Sequence, residues 1–362
     1  MKFRETYFKE VKDYASHTPE VGPEVLDCSQ GVNPYGPTAA ALEAIKNFDP
    51  IKVANYPHSH AAVDGIINYW KNQIDLSAGE IMLVDGSVGG LYTINGLFAI
   101  PGAEVVGFMP SFTDMIVNVE LQGMKYTGIP PADYSTYSQD VDALLAAINE
   151  KTSMVYIDNP NNPTGQLMPK ADIIRILEKA KQFDACVLVD EAYGDFVSKD
   201  DSAISELHNF DNLIVLRTFS KGLGLAGLRA GYIVASAQII ELLGRGSNPY
   251  TVSEVAREAI GGALSDDGYA LSHAEDFAAI KQAMRAVCGN ALSMMVTDDR
   301  VPICTLRHRD DVDLQALLIE AGVLAVSGAD FDCMDGRCVR VRCPKAEYAD
   351  QLINAVKKVN GN

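Results

Sequence analysis

The sequence predicts an α/β fold: a large domain built on a mostly parallel central sheet, with a smaller α+β domain after it. From about residue 60 to 245, helical stretches alternate with short and almost continuously apolar segments. That alternation is typical of parallel strands that are covered on both faces. After about residue 246 it gives way to two helical stretches, two short strands and a closing helix. A chain of 362 residues is long enough for two domains with sizeable cores.

The elements follow in order along the chain. The opening segment is irregular, because Pro19, Pro23, Pro34 and Pro37 interrupt any long element. Buried strands are predicted over 103–108, 153–158, 185–190 and 212–218, and helices over 141–149 and 169–183. In the second half we predict helices over 253–264 and 274–288, strands near 303–306 and 339–342, and a closing helix near 346–358. We place the domain boundary in "GRGSNPY" (244–250). The chain then divides into an N-terminal arm with part of the small domain (1–45), a large domain (46–245) and a small C-terminal domain (246–362).

Composition excludes several classes of function. The formal net charge of −18 opposes binding to nucleic acid or to an anionic membrane. We expect no signal peptide and no membrane span, since the start lacks an apolar core and no apolar run approaches the required length. The seven scattered cysteines favour reduced thiols in a cytoplasmic protein. No metal site is expected: Cys333, Cys338 and Cys343 lack a zinc spacing, and His58 and His60 lack further ligands.

The stretch "RTFSKGLGLAGLRAGY" (217–232) permits two interpretations. Gly222, Gly224 and Gly227 have the spacing of a dinucleotide-binding turn, but that fingerprint requires a helix directly after the glycines. Here "GYIVA" follows and reads as another strand, which disfavours a nicotinamide-dependent oxidoreductase. The alternative is that Lys221 is a reactive lysine, able to form a Schiff base with a cofactor aldehyde.

Three other segments could support such a cofactor. "DGSVGGLYTINGLF" (85–98) begins a helix at Gly86 and Ser87, where free N–H groups and the helix dipole favour a phosphate. "ACVLVDEAYGDF" ends a strand at Asp190, at the edge where parallel sheets bind ligands. "IDNPNNPTG" (157–165) is a rigid polar turn after a strand. Each segment alone also has a purely structural interpretation. The first could be a capped core helix, the second an aspartate that caps the next helix, and the third a β-turn.

In this order, the segments resemble the fold-type-I pyridoxal-phosphate enzymes, and within them the histidinol-phosphate aminotransferase family. "NPNNPTG", "VDEAY" and "LRTFSKGLGLAGLRAGY" are similar to that family's motifs nearly letter for letter, and the resemblance runs from "NPYG" (33–36) to "VRVRCPKAEY" (339–348). It implies pyridoxal 5′-phosphate as cofactor, an aspartate aminotransferase-like fold and a homodimer. It also implies transfer of an amino group from histidinol phosphate or another amino acid to a 2-oxo acid such as 2-oxoglutarate.

The resemblance also implies roles for individual residues. Lys221 is the Schiff-base lysine, Asp190 pairs with the pyridine nitrogen, and Asn162 and Tyr193 hold the ring oxygen. Phe112 stacks on the ring. The phosphate cradle would consist of Gly86, Ser87, Val88, Thr218, Ser220 and Arg229, with Tyr56 reaching the cofactor of the other subunit. Arg340, Asn162 and Tyr14 are the implied substrate contacts.

The sequence departs from that family at the substrate. Relatives carry a second substrate arginine thirteen residues before the one that Arg340 matches, and here that position is Ser327, which puts a phosphorylated substrate in doubt. Arg342 shares the strand face of Arg340 and is a candidate to compensate.

Other reactions remain open on the same scaffold. A decarboxylase similar to the threonine-phosphate decarboxylases, or a racemase, is the alternative, because the scaffold does not fix which α-carbon bond breaks. A ligand-binding regulator on this scaffold would need an added N-terminal DNA-binding domain, and we expect no room for one.

Overall fold

The computed structural model describes residues 1–9, 11–12 and 19–361. The helices are α1 (Ala39–Lys46), α2 (Ala61–Trp70), α3 (Gly86–Phe98), α4 (Thr113–Leu121), α5 (Val141–Ala147), α6 (Lys170–Lys181), α7 (Ala237–Gly246), α8 (Glu254–Leu264), α9 (Ala274–Val287), α10 (Leu314–Glu320) and α11 (Ala349–Val359). The strands are β1 (Leu26–Asp27), β2 (Ile81–Val84), β3 (Glu104–Phe108), β4 (Lys125–Ile129), β5 (Thr152–Asp158), β6 (Cys186–Asp190), β7 (Leu213–Thr218), β8 (Gly231–Ala235), β9 (Leu292–Met294), β10 (Ile303–His308), β11 (Val323–Leu324), β12 (Val326–Ser327) and β13 (Cys338–Arg342).

The large sheet has seven strands in the order β2-β8-β7-β6-β5-β3-β4. Its strand pairs are parallel except for those of β8, which runs antiparallel to β2 and β7. The prediction of a mostly parallel central sheet is therefore confirmed. Asp158, Asp190 and Thr218 are the last residues of β5, β6 and β7. Because these strands are parallel neighbours, all three residues lie at one edge of the sheet.

Helices cover both faces of this sheet, as the apolar strands predict. The apolar core on one face includes Ile66 and Trp70 of α2 and Ile173 of α6, and α8 joins it. On the other face the core includes Leu91 of α3 and Met115 of α4. Since both faces are buried, the strands need no polar alternation, and β6, β7 and β8 are buried along their whole length.

The second half of the chain builds a separate four-stranded antiparallel sheet in the order β12-β13-β10-β9. Helices α9, α10 and α11 supply its apolar core together with the strands. Strand β1 from the N-terminal segment pairs in parallel with β11, which attaches that segment to the smaller unit. Helix α8 packs instead on α1 and α2. The domain division at 244–250 stays a prediction.

The glycine stretch forms a loop between β7 and β8. In this segment, all of which is described, a 3-10 turn at Ala226–Leu228 is the only helical element before β8 begins. Gly224 has a φ of +67°, and a Cβ there would lie 2.2 Å from the carbonyl oxygen of Gly36. The glycine thus lets the loop pass against the N-terminal segment, and the rejection of a dinucleotide turn agrees with this geometry. Over the residues that are described, we find no helix with the length and apolarity to cross a membrane.

Candidate active site

A cavity of about 200 Å³ lies where β5, β6 and β7 end, beside the first turn of α3. This is the edge at which open α/β sheets bind their ligands. The cavity is lined by Ser87, Val88, Phe112, Asp114, Asp158, Asn162, Asp190, Ala192, Tyr193, Ser220, Lys221, Ala226 and Arg229. Nine of these residues are among those that the sequence resemblance singled out.

Lys221 enters the cavity from the loop after β7. The loop is fixed by Asn33, whose backbone N–H donates to the Lys221 carbonyl at 3.0 Å and whose side-chain amide donates to the Gly222 carbonyl at 2.9 Å. The Lys221 Nζ lies 5.7 Å from the centroid of the Tyr193 ring. Burial, with the charges of Arg340 and Arg229, lowers the pKa of Lys221 to about 8. A substantial fraction of this amine is therefore neutral near physiological pH, as a nucleophile or a base requires.

Asp190 lies on the floor of the cavity and is 2% exposed. It accepts hydrogen bonds from the Tyr156 hydroxyl and the Ala192 backbone N–H, each at 3.1 Å. Burial raises the pKa of Asp190, while those two hydrogen bonds and the charge of Lys221 oppose the increase. The carboxylate is thus held in place, and a cationic ring nitrogen beside it would offset the cost of burying its charge.

An anion cradle forms where α3 begins. Gly86 has a φ of +79°, and a Cβ there would lie 2.8 Å from Arg229 Nη2, so the guanidinium lies directly over the start of the helix. Ser87 and Ser220 line the same wall, and the Ser220 backbone N–H and hydroxyl contact the Thr218 hydroxyl at 3.2 and 3.0 Å. Hydroxyls, free helix N–H groups and a guanidinium are the donors that bind a phosphate.

Arg340, on β13 of the smaller unit, contacts Asn162 of the cavity lining. It is 2% exposed, and its Nη1 donates to Asn162 Oδ1 at 3.0 Å, while Nη2 donates to the Ser29 carbonyl. The guanidinium therefore joins three segments that are far apart in sequence. A buried guanidinium beside a reactive amine can bind a carboxylate in a fixed orientation.

The remaining predicted residues lie elsewhere. Thr218 does not line the cavity, but its hydroxyl is hydrogen-bonded to the hydroxyl of Ser220, which does. Tyr56 is 72% exposed on the surface and stacks on Tyr250 with ring centroids 4.9 Å apart. Tyr14 lies outside the described residues.

Sequence reasoning missed four lining residues, namely Asp114, Asp158, Ala192 and Ala226. For Asp158 a signal was available: it directly precedes "NPNNPTG" and ends a strand, as Asp190 does. Asp114 lies two residues after Phe112, in the first turn of α4, and no spacing marked it.

The donor set fits pyridoxal phosphate. A Cβ at Gly86 would crowd the Arg229 guanidinium, and this guanidinium and the nearby hydroxyls would bind the cofactor's phosphate. Asp190 would offer a buried carboxylate to the ring nitrogen, and Lys221 would offer an amine to the aldehyde. Phe112 and Ala192 line the same cavity and would contact the ring.

Comparisons with known proteins agree with this geometry. The family model described as aminotransferase class I and II matches residues 23–356. A histidinol-phosphate aminotransferase of Methylobacillus flagellatus is 31% identical over 317 residues, which are 86% of this chain and 83% of that protein.

Two solved structures share the fold. A histidinol-phosphate aminotransferase from Clostridium acetobutylicum superposes with a TM-score of 0.80 at 22% identity, covering 93% of this chain and 100% of that one. One from Sinorhizobium meliloti, in complex with pyridoxal-5′-phosphate, gives a TM-score of 0.78 at 23% identity, covering 95% and 96%.

Proposed function

The chain belongs to the class I and II aminotransferases, which are pyridoxal-phosphate enzymes, and we propose that its amino donor is an α-amino acid whose carboxylate binds Arg340. The acceptor is a 2-oxo acid such as 2-oxoglutarate. The observation that carries the proposal is the buried guanidinium of Arg340 beside the amine of Lys221, in a cavity that suits the cofactor.

The residues of the cavity divide the work of the reaction. When bound, pyridoxal phosphate supplies an electron sink for the substrate's α-carbon. Asp190 would hold a proton on the ring nitrogen, and Asn162 and Tyr193 would hold the ring oxygen. Lys221 Nζ accepts the proton that leaves the α-carbon and, once protonated, is the acid that returns it. Its pKa of about 8 suits both roles near neutral pH.

The phosphate of the cofactor would be held by the cradle at α3. Arg229 supplies the charge, and Ser87 and Ser220 supply hydroxyl donors next to the free N–H groups of the helix. Phe112 would lie on one face of the ring. With the cofactor held in this way, the substrate's α-carbon would be oriented toward Lys221.

A carboxylate fits the substrate site better than a phosphate ester does. Ser327 offers no cation, and its hydroxyl accepts a hydrogen bond from the Ala329 backbone N–H at 3.3 Å as a cap of the next turn. Arg342 does not replace it: its Nε donates to the Gln30 carbonyl at 2.9 Å, Nη1 donates to the Cys343 carbonyl at 3.1 Å, and Nη2 donates to the Asp27 carbonyl. Arg340 contacts Asn162 of the cavity lining, whereas Arg342 binds backbone oxygens only, so Arg340 is the better placed of the two for the substrate anion.

We further propose a homodimer in the cytoplasm, with Tyr56 completing the cofactor site of the partner subunit. Tyr56 stacks on Tyr250, and Ile51 and Val53, a few residues before Tyr56 in the chain, are both 70% exposed. Exposed apolar patches are typical of protein interfaces. All seven cysteines are free, which suits a reducing compartment.

A donor screen tests the proposed substrate class. The protein loaded with pyridoxal phosphate would be mixed in a single turnover with each amino acid and with histidinol phosphate, and the cofactor spectrum would be followed. Conversion to the amine form of the cofactor by an amino acid, reversed by 2-oxoglutarate, is the expected result.

Histidinol phosphate is the second candidate, favoured by the names of the relatives at about a third identity. If it converts the cofactor faster than every amino acid, the argument from Ser327 and Arg342 is wrong. Release of carbon dioxide without conversion would point instead to a decarboxylase.

A further inference from the structure

A second carboxyl, that of Asp158, lies beside Asp190 on the floor of the cavity. Asp158 ends β5 as Asp190 ends β6, and the two residues are direct partners in the parallel pairing of these strands. They are 4% and 2% exposed, and both line the cavity that contains Lys221. Neighbouring strands lie about 5 Å apart, so the two side chains occupy the same small volume.

Asp158 is held by neutral donors. Its Oδ2 accepts from the Asn162 backbone N–H at 2.9 Å and from the Ser111 hydroxyl at 3.4 Å, and the Phe112 backbone N–H also donates to this carboxyl. These donors belong to the two segments that carry the residues facing the ring. Asp190, by contrast, has the charge of Lys221 close enough to lower its pKa.

Two adjacent buried carboxyls cannot both be ionised at little cost. Burial and the charge of Asp190 raise the pKa of Asp158 well above its usual range, although the hydrogen bonds from Asn162, Ser111 and Phe112 oppose the increase. The hydrogen bonds to Asp190 from Tyr156 and Ala192, and the charge of Lys221, favour its anionic form. Since Lys221 shares the cavity and its charge stabilises the anion of Asp190, a single proton on the pair belongs on Asp158.

Other titratable groups surround the pair, and of these Asp114 and Tyr193 line the same cavity. The phenols of Tyr156 and Tyr126 face the pair, and burial raises the pKa of both, so they stay neutral. Glu191, which follows Asp190 in the chain, is bound to Arg217 at 2.6 Å on the far side of the strand end. Lys221, Arg229 and Arg340 are the cations around the cavity.

We propose that Asp158 and Asp190 share one proton in the cofactor-free protein, and that Asp158 gives up this proton when the pyridine nitrogen of the cofactor reaches Asp190. The O–H bond of Asp158 breaks, and an N–H bond forms on the ring nitrogen by way of the Asp190 carboxylate. Asp158 becomes a carboxylate and the ring becomes a cation, so charge and atoms balance without another reactant. The site thus stores the proton that the ring needs.

Infrared difference spectroscopy tests this directly. A protonated, buried carboxyl has a C=O band that a carboxylate lacks. Spectra of the wild-type protein before and after loading with pyridoxal phosphate, near neutral pH, should show the loss of about one such band per chain. Asp158→Asn keeps an acceptor for the Asn162 N–H but has no acidic proton, so the difference band should be absent from its spectrum.

The matched control is Ser111→Ala, which removes a hydrogen bond to the same oxygen and leaves the proton in place. This variant should keep the band loss. If Asp158→Asn does not fold or load, Asp158→Ser serves in its place, because it too has an acceptor and no acidic proton.

Three results would overturn the proposal. One is a wild-type spectrum in which no carboxyl band is lost on loading. Another is a band loss that survives in Asp158→Asn. The third is equal proton uptake by wild type and Asp158→Asn when the cofactor binds, measured by calorimetry in buffers of different ionisation enthalpy. We expect Asp158→Asn to take up about one more proton than wild type for each ring nitrogen that becomes protonated, which ¹⁵N-labelled cofactor would report.

Discussion

Replacing Arg340 by methionine should damage catalysis far more than it damages the fold. Arg340 Nη1 and Nη2 are fixed by Asn162 and the Ser29 carbonyl, so the guanidinium is already oriented for a carboxylate. A hydrogen bond to a charged group contributes about 1.5–3 kcal/mol. Loss of one or two such bonds to the substrate carboxylate should reduce transition-state stabilisation by about 3 kcal/mol. That corresponds to a decrease of roughly 100-fold in kcat/KM for amino-acid donors.

Arg342→Met is the matched control two residues away on the same strand. Its guanidinium binds three backbone carbonyls, so the variant should lose stability in urea unfolding while kcat/KM stays within a few-fold of wild type. Steady-state kinetics on both variants, with the donor identified by the screen, gives the comparison. If Arg342→Met loses as much kcat/KM as Arg340→Met, or if Arg340→Met loses less than about tenfold, the assignment of the carboxylate to Arg340 is refuted.

Three further predictions concern stability, the cradle and pH. Arg217→Leu removes the cation that pairs with the carboxylates of Glu191 and Asp195, and should lower the free energy of unfolding in urea by about 3–5 kcal/mol. Lys181→Leu, at an exposed ion pair, should lower it by less than about 1 kcal/mol. Similar losses in the two variants would contradict the buried network. Gly86→Ala, at a φ of +79°, should weaken cofactor binding about tenfold in a loading titration, whereas Gly96→Ala in the same helix, with nothing within 4 Å of its Cβ, should leave binding unchanged. Because the neutral amine of Lys221 is the form that attacks the aldehyde, the stopped-flow rate of covalent cofactor capture should rise with pH and level off above about 8; a rate that does not change between about pH 6 and 9 would contradict the lowered pKa.

The sequence predicted the large sheet well because its strands are buried on both faces. Strands β5, β6 and β7 match the predicted segments to within about a residue, since an apolar run between turn residues leaves few other interpretations. The closing helix was expected near 346, but α11 begins at Ala349 after a 3-10 turn at Ala346–Tyr348. Helix ends depend on local capping, which a hydrophobic pattern does not specify.

The site was predicted where motifs are local and missed where contacts are long-range. Lys221, Asp190 and Asn162 follow strands that end at one edge, so their convergence could be inferred. The strand pattern put Arg342 beside Arg340, but it could not show that the 27–30 segment, joined to the smaller unit by the β1–β11 pair, supplies carbonyls that bind Arg342. Pairings between distant segments depend on packing, and a single sequence does not report them.

The most direct test of the central claim is to locate the covalent bond between the protein and the cofactor. The protein loaded with pyridoxal phosphate would be reduced with borohydride, digested with trypsin and analysed by mass spectrometry. We expect the label on the peptide 218–229, uncleaved at Lys221, and no label on any lysine in Lys221→Ala. A label on a different lysine of the wild-type protein, or one that persists in Lys221→Ala, would contradict the assignment of Lys221 and the mechanism built on it.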